Sequence, residues 1–203
     1  MANKEIALII QRLLSISDTG LTYGNNEYDK ERYLEIREEL GKLLSLATDL
    51  KQDELSALLR PTDFYATPLL DVRAFIVENE KICLVKGRNE RSWALPGGFG
   101  EVGFSPRENI LKEVEEETGF QSEVVSLLAI FDTNQHQLQS RQYIKLVFQC
   151  RLKAGKFVAN HEISELDFFD IKHLPELSEK RISKEQLEIL WNIYQGNRPQ
   201  YID

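Results

Sequence analysis

At 203 residues, 42% of them apolar and 29% charged, the chain is long enough to bury a substantial core and has the balance of a folded, water-compatible protein. A net charge of -8 argues against the broad basic stripe that non-specific nucleic-acid binding needs, so nucleic acid is not expected as the main partner. No apolar run approaches the roughly 20 residues of a membrane span, and MANKEIALIIQRLL lacks the cleavage pattern of a signal peptide.

Ile6, Ile9, Ile10, Leu13 and Leu14 recur at helical spacing and predict an amphipathic helix that ends near Gly20. The turn-rich TGLTYGNNEYD follows, and Asp29 is placed to cap a second helix with Tyr33, Ile36, Leu40, Leu43 and Leu44 on its apolar face. A third, short helix is expected around 54–59, stopping before Pro61. Such a helical hairpin must pack on something, either the rest of the chain or a second subunit. The stretch RPTDFYATPLL favours extended chain at Pro61 and Pro68 and marks a boundary, giving an N-terminal helical extension over 1–66 and a second domain over 67–203.

Beyond it the pattern changes to strands. DVRAFIV, a turn at ENEK and ICLVK read as a β-hairpin, and WALPGG ends in a tight glycine turn. EVVSLLAIF, QYIKLVFQCRL and ELDFFD are three more strand candidates. Cys83 and Cys150 lie inside these apolar runs without any zinc-like spacing, so a disulfide-free, cytoplasmic protein is expected. A last helix starts at Ser183, with Gln186 at capping-box spacing, and buries Leu187, Leu190, Trp191 and Tyr194. The class is α/β.

Between the glycine turn and EVVSLLAIF lies the most informative helix. Ser105, Pro106 and Glu108 are a strong start and Gly119 is the matching stop, so the helix covers 106–118. Ile110, Leu111 and Val114 face a core. Glu113, Glu116 and Glu117 share one face, with Asn109 beside them, while Glu108 and Glu115 fall opposite. Each like-charge pair at this spacing costs about 0.2–0.5 kcal/mol, and acids in the last turn oppose the helix dipole by about 0.3–1 kcal/mol each. A bound divalent cation would reverse both terms, and clustered carboxylates suit hard ions such as Mg²⁺ or Mn²⁺. A solvated acidic face is the other reading of the helix taken alone.

With the turn before it, the segment resembles the signature of the Nudix hydrolase superfamily, G-x5-E-x7-R-E-U-x-E-E-x-G-U, where U is a bulky apolar residue. Gly98, Glu113, Val114, Glu116, Glu117, Gly119 and Phe120 match. Phe104 stands where the signature has its first glutamate, and Lys112 where it has arginine. Lysine keeps the charge but loses the planar fork, and Glu108 or Glu116, four residues away on either side, is placed to pair with it. The helical extension, with DVRAFI, FDTNQH and HEISELDFF, is similar to a bacterial Nudix subgroup that acts on nucleoside diphosphates linked to another moiety.

The resemblance implies an α/β/α sandwich around a mixed sheet, preceded by the helical hairpin, and a homodimer joined through the hairpin, which otherwise covers the substrate site. It implies metal-dependent hydrolysis of a nucleotide substrate, CDP-choline first and ADP-ribose next, to a nucleoside monophosphate and a phosphorylated moiety. Glu113, Glu116, Glu117 and the Gly97 carbonyl would hold Mg²⁺ or Mn²⁺. Glu116, Glu162 and Glu165 are candidates for the general base. Arg73 either binds phosphate or is the exposed residue of an alternating strand, and Phe131 and His136 lie where a base or choline group could sit. Two other readings remain open: a nucleotide-binding or regulatory protein with relaxed catalysis at Phe104 and Lys112, and an enzyme acting on RNA ends.

Overall fold

In this computed structural model the described residues are 2–47, 59, 65–136 and 141–203, so of the short helix expected over 54–59 only Leu59 is described. The chain packs as two units, one of residues 1–68 with 138–142, the other of residues 69–137 with 143–203.

In the first unit α1 (Ala2–Tyr23) and α2 (Glu27–Ala47) pair through Ile10, Leu14, Leu40 and Leu44, with Leu59 packed against them. A buried Arg37–Asp18 ion pair joins the helices, and Arg37 also donates to the Leu59 carbonyl at 2.8 Å. The first helix does not stop near Gly20. It runs on to Tyr23, and a Cβ at Gly20 would lie 2.3 Å from the Tyr33 ring, so this glycine serves close helix packing. The second helix starts two residues before Asp29, with the Asn26 side chain accepting from the Tyr28 N–H at 3.0 Å. Ile6, Ile9, Leu13 and Ile16 on α1, and Leu34, Ile36 and Leu43 on α2, stay at least a third exposed.

The second unit is built on β1 (Leu69–Glu78), β2 (Lys81–Gly87), β3 (Trp93–Ala94), α3 (Pro106–Thr118), β4 (Phe120–Asp132), α4 (Thr133–His136), β5 (Tyr143–Gly155), β6 (Ile163–Phe169), α5 (Lys184–Tyr194) and β7 (Tyr201–Ile202). Asn79 and Glu80, with φ of 49° and 60°, form the β1–β2 turn; two left-handed residues match the natural twist of a hairpin. The sheet order is β3-β2-β1-β5-β4-β7, with β6 pairing β2. Pairing is parallel for β1–β5 and β4–β7 and antiparallel elsewhere, a mixed sheet.

The faces alternate as a period of two requires. Val72, Ala74 and Ile76 of β1 pack with Ile110 and Val114 of α3, whereas Phe75 joins Phe131, Val147, Leu187 and Leu190 under α5. Helices therefore cover both faces. No described helix is long and apolar enough to cross a membrane. The elements β3, β7 and α4 had no counterpart in the sequence pattern, since two strand residues or one helical turn leave no periodicity to read.

Candidate active site

The site begins where β1 and β2 part. Direct pairing between them covers only Val77↔Ile82 and Glu78↔Lys81. The chain following β3 then takes over the edge of β1: Ala74 N–H donates to Pro96 O at 2.8 Å, Val72 N–H to Gly98 O at 2.8 Å, and Gly100 N–H to Leu70 O at 2.9 Å. Gly97 sits in this fork with φ of 137°, and a Cβ there would lie 2.1 Å from the Val72 carbonyl oxygen. Only glycine fits both the dihedral and the contact.

α3 is delivered to this turn by its caps. Ser105 and Glu108 form a complete capping box, and Gly119 closes the helix at φ 73° with its N–H on Glu115 O. The signature glutamates are graded in burial. Glu117 is buried, and its Oε2 accepts the Gly97 N–H at 2.7 Å. Glu113 is half-buried and lies against Gly98, where a Cβ would be 2.7 Å from its Oε1. Glu116 is exposed and 3.6 Å from Lys112 Nζ.

Burial pushes the Glu117 carboxyl up to about 7 from 4.5, against the opposing pull of the Gly97 N–H and the Arg73 charge. Burial also raises Glu113, with Arg73 again opposing. Burial thus opposes ionisation of both carboxyls.

The two departures from the signature meet in space. Lys112 Nζ donates to Glu101 Oε1 at 2.7 Å and lies 5.8 Å from the centre of the Phe104 ring, and the Glu101 hydrogen bond holds the Lys112 ammonium above its usual range. Of the partners expected for Lys112, Glu116 is in reach, while Glu108 is committed to the capping box. Asn109, read from the helix wheel only as a neighbour of the glutamates, is buried and organises the loop: its Oδ1 accepts from Glu101 N–H at 3.0 Å, and its Nδ2 faces the carbonyls of Glu101, Phe104 and Ser105 at 3.3–3.4 Å.

The other expected site residues are placed differently. Arg73 is neither an exposed strand residue nor open to a phosphate. It is buried, with Nε on Asp71 Oδ1 at 2.9 Å and Nη1 on Leu95 O at 3.3 Å and Gly97 O at 2.5 Å. Across the strands Asp71 is paired with Lys145, whose ammonium burial lowers to about 8 and which donates to Arg181 O.

Phe131, expected at the substrate, is a core side chain with no exposed surface, packed on Tyr201 and edge-on to His136. Its place in β4, on the face covered by α5, dictates this. His136 Nε2 lies 3.0 and 3.1 Å from the two oxygens of Asp203. Glu165 lies opposite Lys86 in the β2–β6 pair and bonds it at 2.5 Å. Glu162 is exposed at the start of β6, 3.3 Å from His161.

Among the described residues, no group of three or more His, Cys, Asp and Glu side chains is drawn together closely enough to enclose a metal ion. The groups gathered at the turn are nonetheless of one kind, carboxylate and carbonyl oxygens around a buried acid. Oxygen donors of this kind are the ones hard divalent ions prefer.

Comparison with known proteins agrees with this architecture. A family model for the NUDIX domain matches residues 67–190, and one described as the UDP-X-like, N-terminal oligomerisation domain matches residues 4–59. The chain belongs to the Nudix family and is a hydrolase of that family. It is 58% identical to a protein solved as a crystal structure of UDP-X diphosphatase, over 99% of both chains, with a TM-score of 0.68. The putative ADP-ribose pyrophosphatase YjhB of Bacillus subtilis (strain 168) is 33% identical over 184 residues, 90% of this chain and 88% of that one. An ADP-ribose pyrophosphatase structure from Streptococcus suis 89-1591 is 33% identical, covering 67% of this chain and 98% of the other at a TM-score of 0.62.

Proposed function

We propose that residues 67–203 hydrolyse the pyrophosphate of a nucleoside diphosphate linked to a second moiety, releasing a nucleoside monophosphate and the phosphorylated moiety. The observation that carries this reading is the Glu117 carboxylate, buried on the Gly97 N–H with its acidity weakened to about 7, beside Glu113 at Gly98. Glu113, Glu116, Glu117 and the Gly97 carbonyl would hold Mg²⁺ or Mn²⁺. When bound, the ion supplies charge neutralisation on the phosphates and a more acidic water.

The protein's own groups do the rest. Arg73 anchors the Gly97 turn through two carbonyls rather than meeting phosphate. Lys112, gripped by Glu101, holds Glu116 along the helix. Glu162 is the general base we favour: Glu165 is bonded to Lys86 and Glu116 is beside Lys112, both fixed cations, whereas the neighbour of Glu162 is His161, charged only when protonated, and its loop is fastened to α3. His136, on the α4 turn, is the remaining candidate for substrate contact.

The 58%-identical UDP-X diphosphatase supports UDP-linked compounds as substrates, alongside the CDP-choline suggested by the subgroup resemblance and the ADP-ribose of the more distant relatives. Residues 1–66 pair two subunits, which the exposed apolar faces of α1 and α2 support. The two free, buried thiols of Cys83 and Cys150 fit a cytoplasmic setting.

The test is release of nucleoside monophosphate from CDP-choline, a UDP-sugar and ADP-ribose, with Mg²⁺, Mn²⁺ or a chelator, beside Glu117→Gln. Metal-dependent turnover of one compound, lost in the variant, is expected. Binding of all three without turnover of any would refute hydrolysis and favour a nucleotide-binding protein in which Phe104 and Lys112 have relaxed catalysis.

A further inference from the structure

The segment joining β5 to β6 wraps the C-terminal end of α3. Gly155, at φ 126°, would place a Cβ 2.2 Å from Gly119 O, and a Cβ on Gly119 would lie 2.4 Å from Lys156 O. Backbone meets backbone here without room for a side chain. Asn160 then makes the connection specific. Its Nδ2 donates to Glu116 O at 2.7 Å, one of the last-turn carbonyls that a helix cannot satisfy internally.

The same side chain turns back on its own loop. Oδ1 accepts from the N–H groups of Glu162 and Ile163, both at 2.8 Å. The main chain of Asn160 is also engaged, its N–H on Ile163 O at 2.9 Å and its carbonyl accepting from Arg88 Nε at 3.0 Å and Nη2 at 2.6 Å. Arg88 N–H holds Glu162 O at 2.7 Å. The backbone of Glu162 is thereby fixed from both sides, its N–H by Asn160 and its carbonyl by Arg88, and the clamp is fastened to the residue of α3 that carries one of the three signature glutamates.

We propose that Asn160 is a positioning residue that sets Glu162 against the carboxylate face of α3, so that the loop and the helix act as one site. This rests on the hydrolytic reading above and on Glu162 as its base. A helix cap alone would need only the Nδ2 contact. The bonds to Glu162 and Ile163 give the side chain a second task, which is to orient the loop. Positioning of this kind is worth a great deal in rate, since misplacement of about 1 Å costs on the order of 100-fold.

The experiment measures kcat, KM, the pH profile of kcat and the urea midpoint with the best substrate of the panel, for wild type, Asn160→Ala, Asn160→Asp, Glu162→Gln and Asn160→Ala/Glu162→Gln. Asn160→Asp keeps the Oδ1 acceptor and loses the bond to Glu116 O, so it tests the tie to the helix in a loop still internally bonded. The expected result is a fall in kcat of about 10- to 100-fold for Asn160→Ala, with KM within about threefold and a displaced acidic limb. In the Glu162→Gln background the same change costs no further activity, because both act through one group.

Additive losses, a fall in the urea midpoint with kcat intact in both Asn160 variants, or wild-type activity in Glu162→Gln would overturn the positioning role while leaving hydrolysis standing. A wild-type protein inactive on every compound sinks both.

Discussion

Replacing Glu117 by glutamine should make the metal-free protein more stable at neutral and alkaline pH. The native carboxyl ionises near 7 and the unfolded one near 4.5. Between those values the native state binds more protons than the unfolded state, so this group's contribution to stability falls as pH rises, and the loss is complete above the native value. At about 1.36 kcal/mol per unit, keeping the buried carboxylate ionised at pH 8 costs about 3 kcal/mol. Glutamine keeps an oxygen for the Gly97 N–H and removes the charge, although its amide hydrogens need a new partner, so a net gain of about 1–3 kcal/mol is expected.

The assay is urea unfolding in a chelator, followed by fluorescence of Trp93 and Trp191, both packed against the second unit's core. With a typical slope of about 1–3 kcal/mol per molar urea, the midpoint should rise by about 1 M at pH 8 and hardly at all at pH 5. Saturating Mg²⁺ should close the gap by stabilising the wild type alone. A variant no more stable than wild type at pH 8, or equally stabilised at pH 5 and pH 8, would refute the claim that Glu117 is held ionised at the expense of folding.

Gly119→Ala should lose at least about 2 kcal/mol in the same assay, from a left-handed residue at φ 73° and a Cβ set 2.4 Å from Lys156 O. Ile9→Asp with Leu13→Asp, on side chains 54% and 40% exposed, should halve the mass measured by light scattering without altering the fluorescence of the second unit. An unchanged mass would mean that these side chains do not join subunits.

Much of the site was legible because it is local. Ser105, Pro106, Glu108 and Gly119 define α3 through contacts within a few residues, and helical geometry alone gathers Glu113, Glu116 and Glu117 on one face. What that geometry could not give was their unequal burial, which depends on how the helix meets the Gly97 turn. Residues whose work spans sequence were missed for the same reason. Asn109 holds a loop residue 8 positions away, Glu101 reaches Lys112 across 11, and Asn160 reaches Glu116 across 44. Nothing in an isolated NHE or GEV marks them.

The errors have equally plain causes. Arg73 was weighed as an exposed or phosphate-facing cation because alternation sets the face a strand residue points to, not what else is buried on that face; Asp71 and two carbonyls are there to receive it. Phe131 ends the strand candidate EVVSLLAIF, and its place at the substrate failed because that face of the strand packs under α5. Gly20 has the composition of a helix end and the environment of a helix crossing.

The fork between β1 and β2 has a consequence for how this site moves. Its glycine turn is stitched to a central strand by the amides of Val72, Ala74 and Gly100, so opening it would mean unzipping part of the sheet. Amide hydrogens there should exchange with deuterium only in global or near-global unfolding, in contrast to most ligand-binding loops, which belong to the least protected parts of a protein. Substrate admission and product release then fall to side-chain rotations and to the segments flanking the turn. The backbone of the turn stays as a fixed template from one turnover to the next.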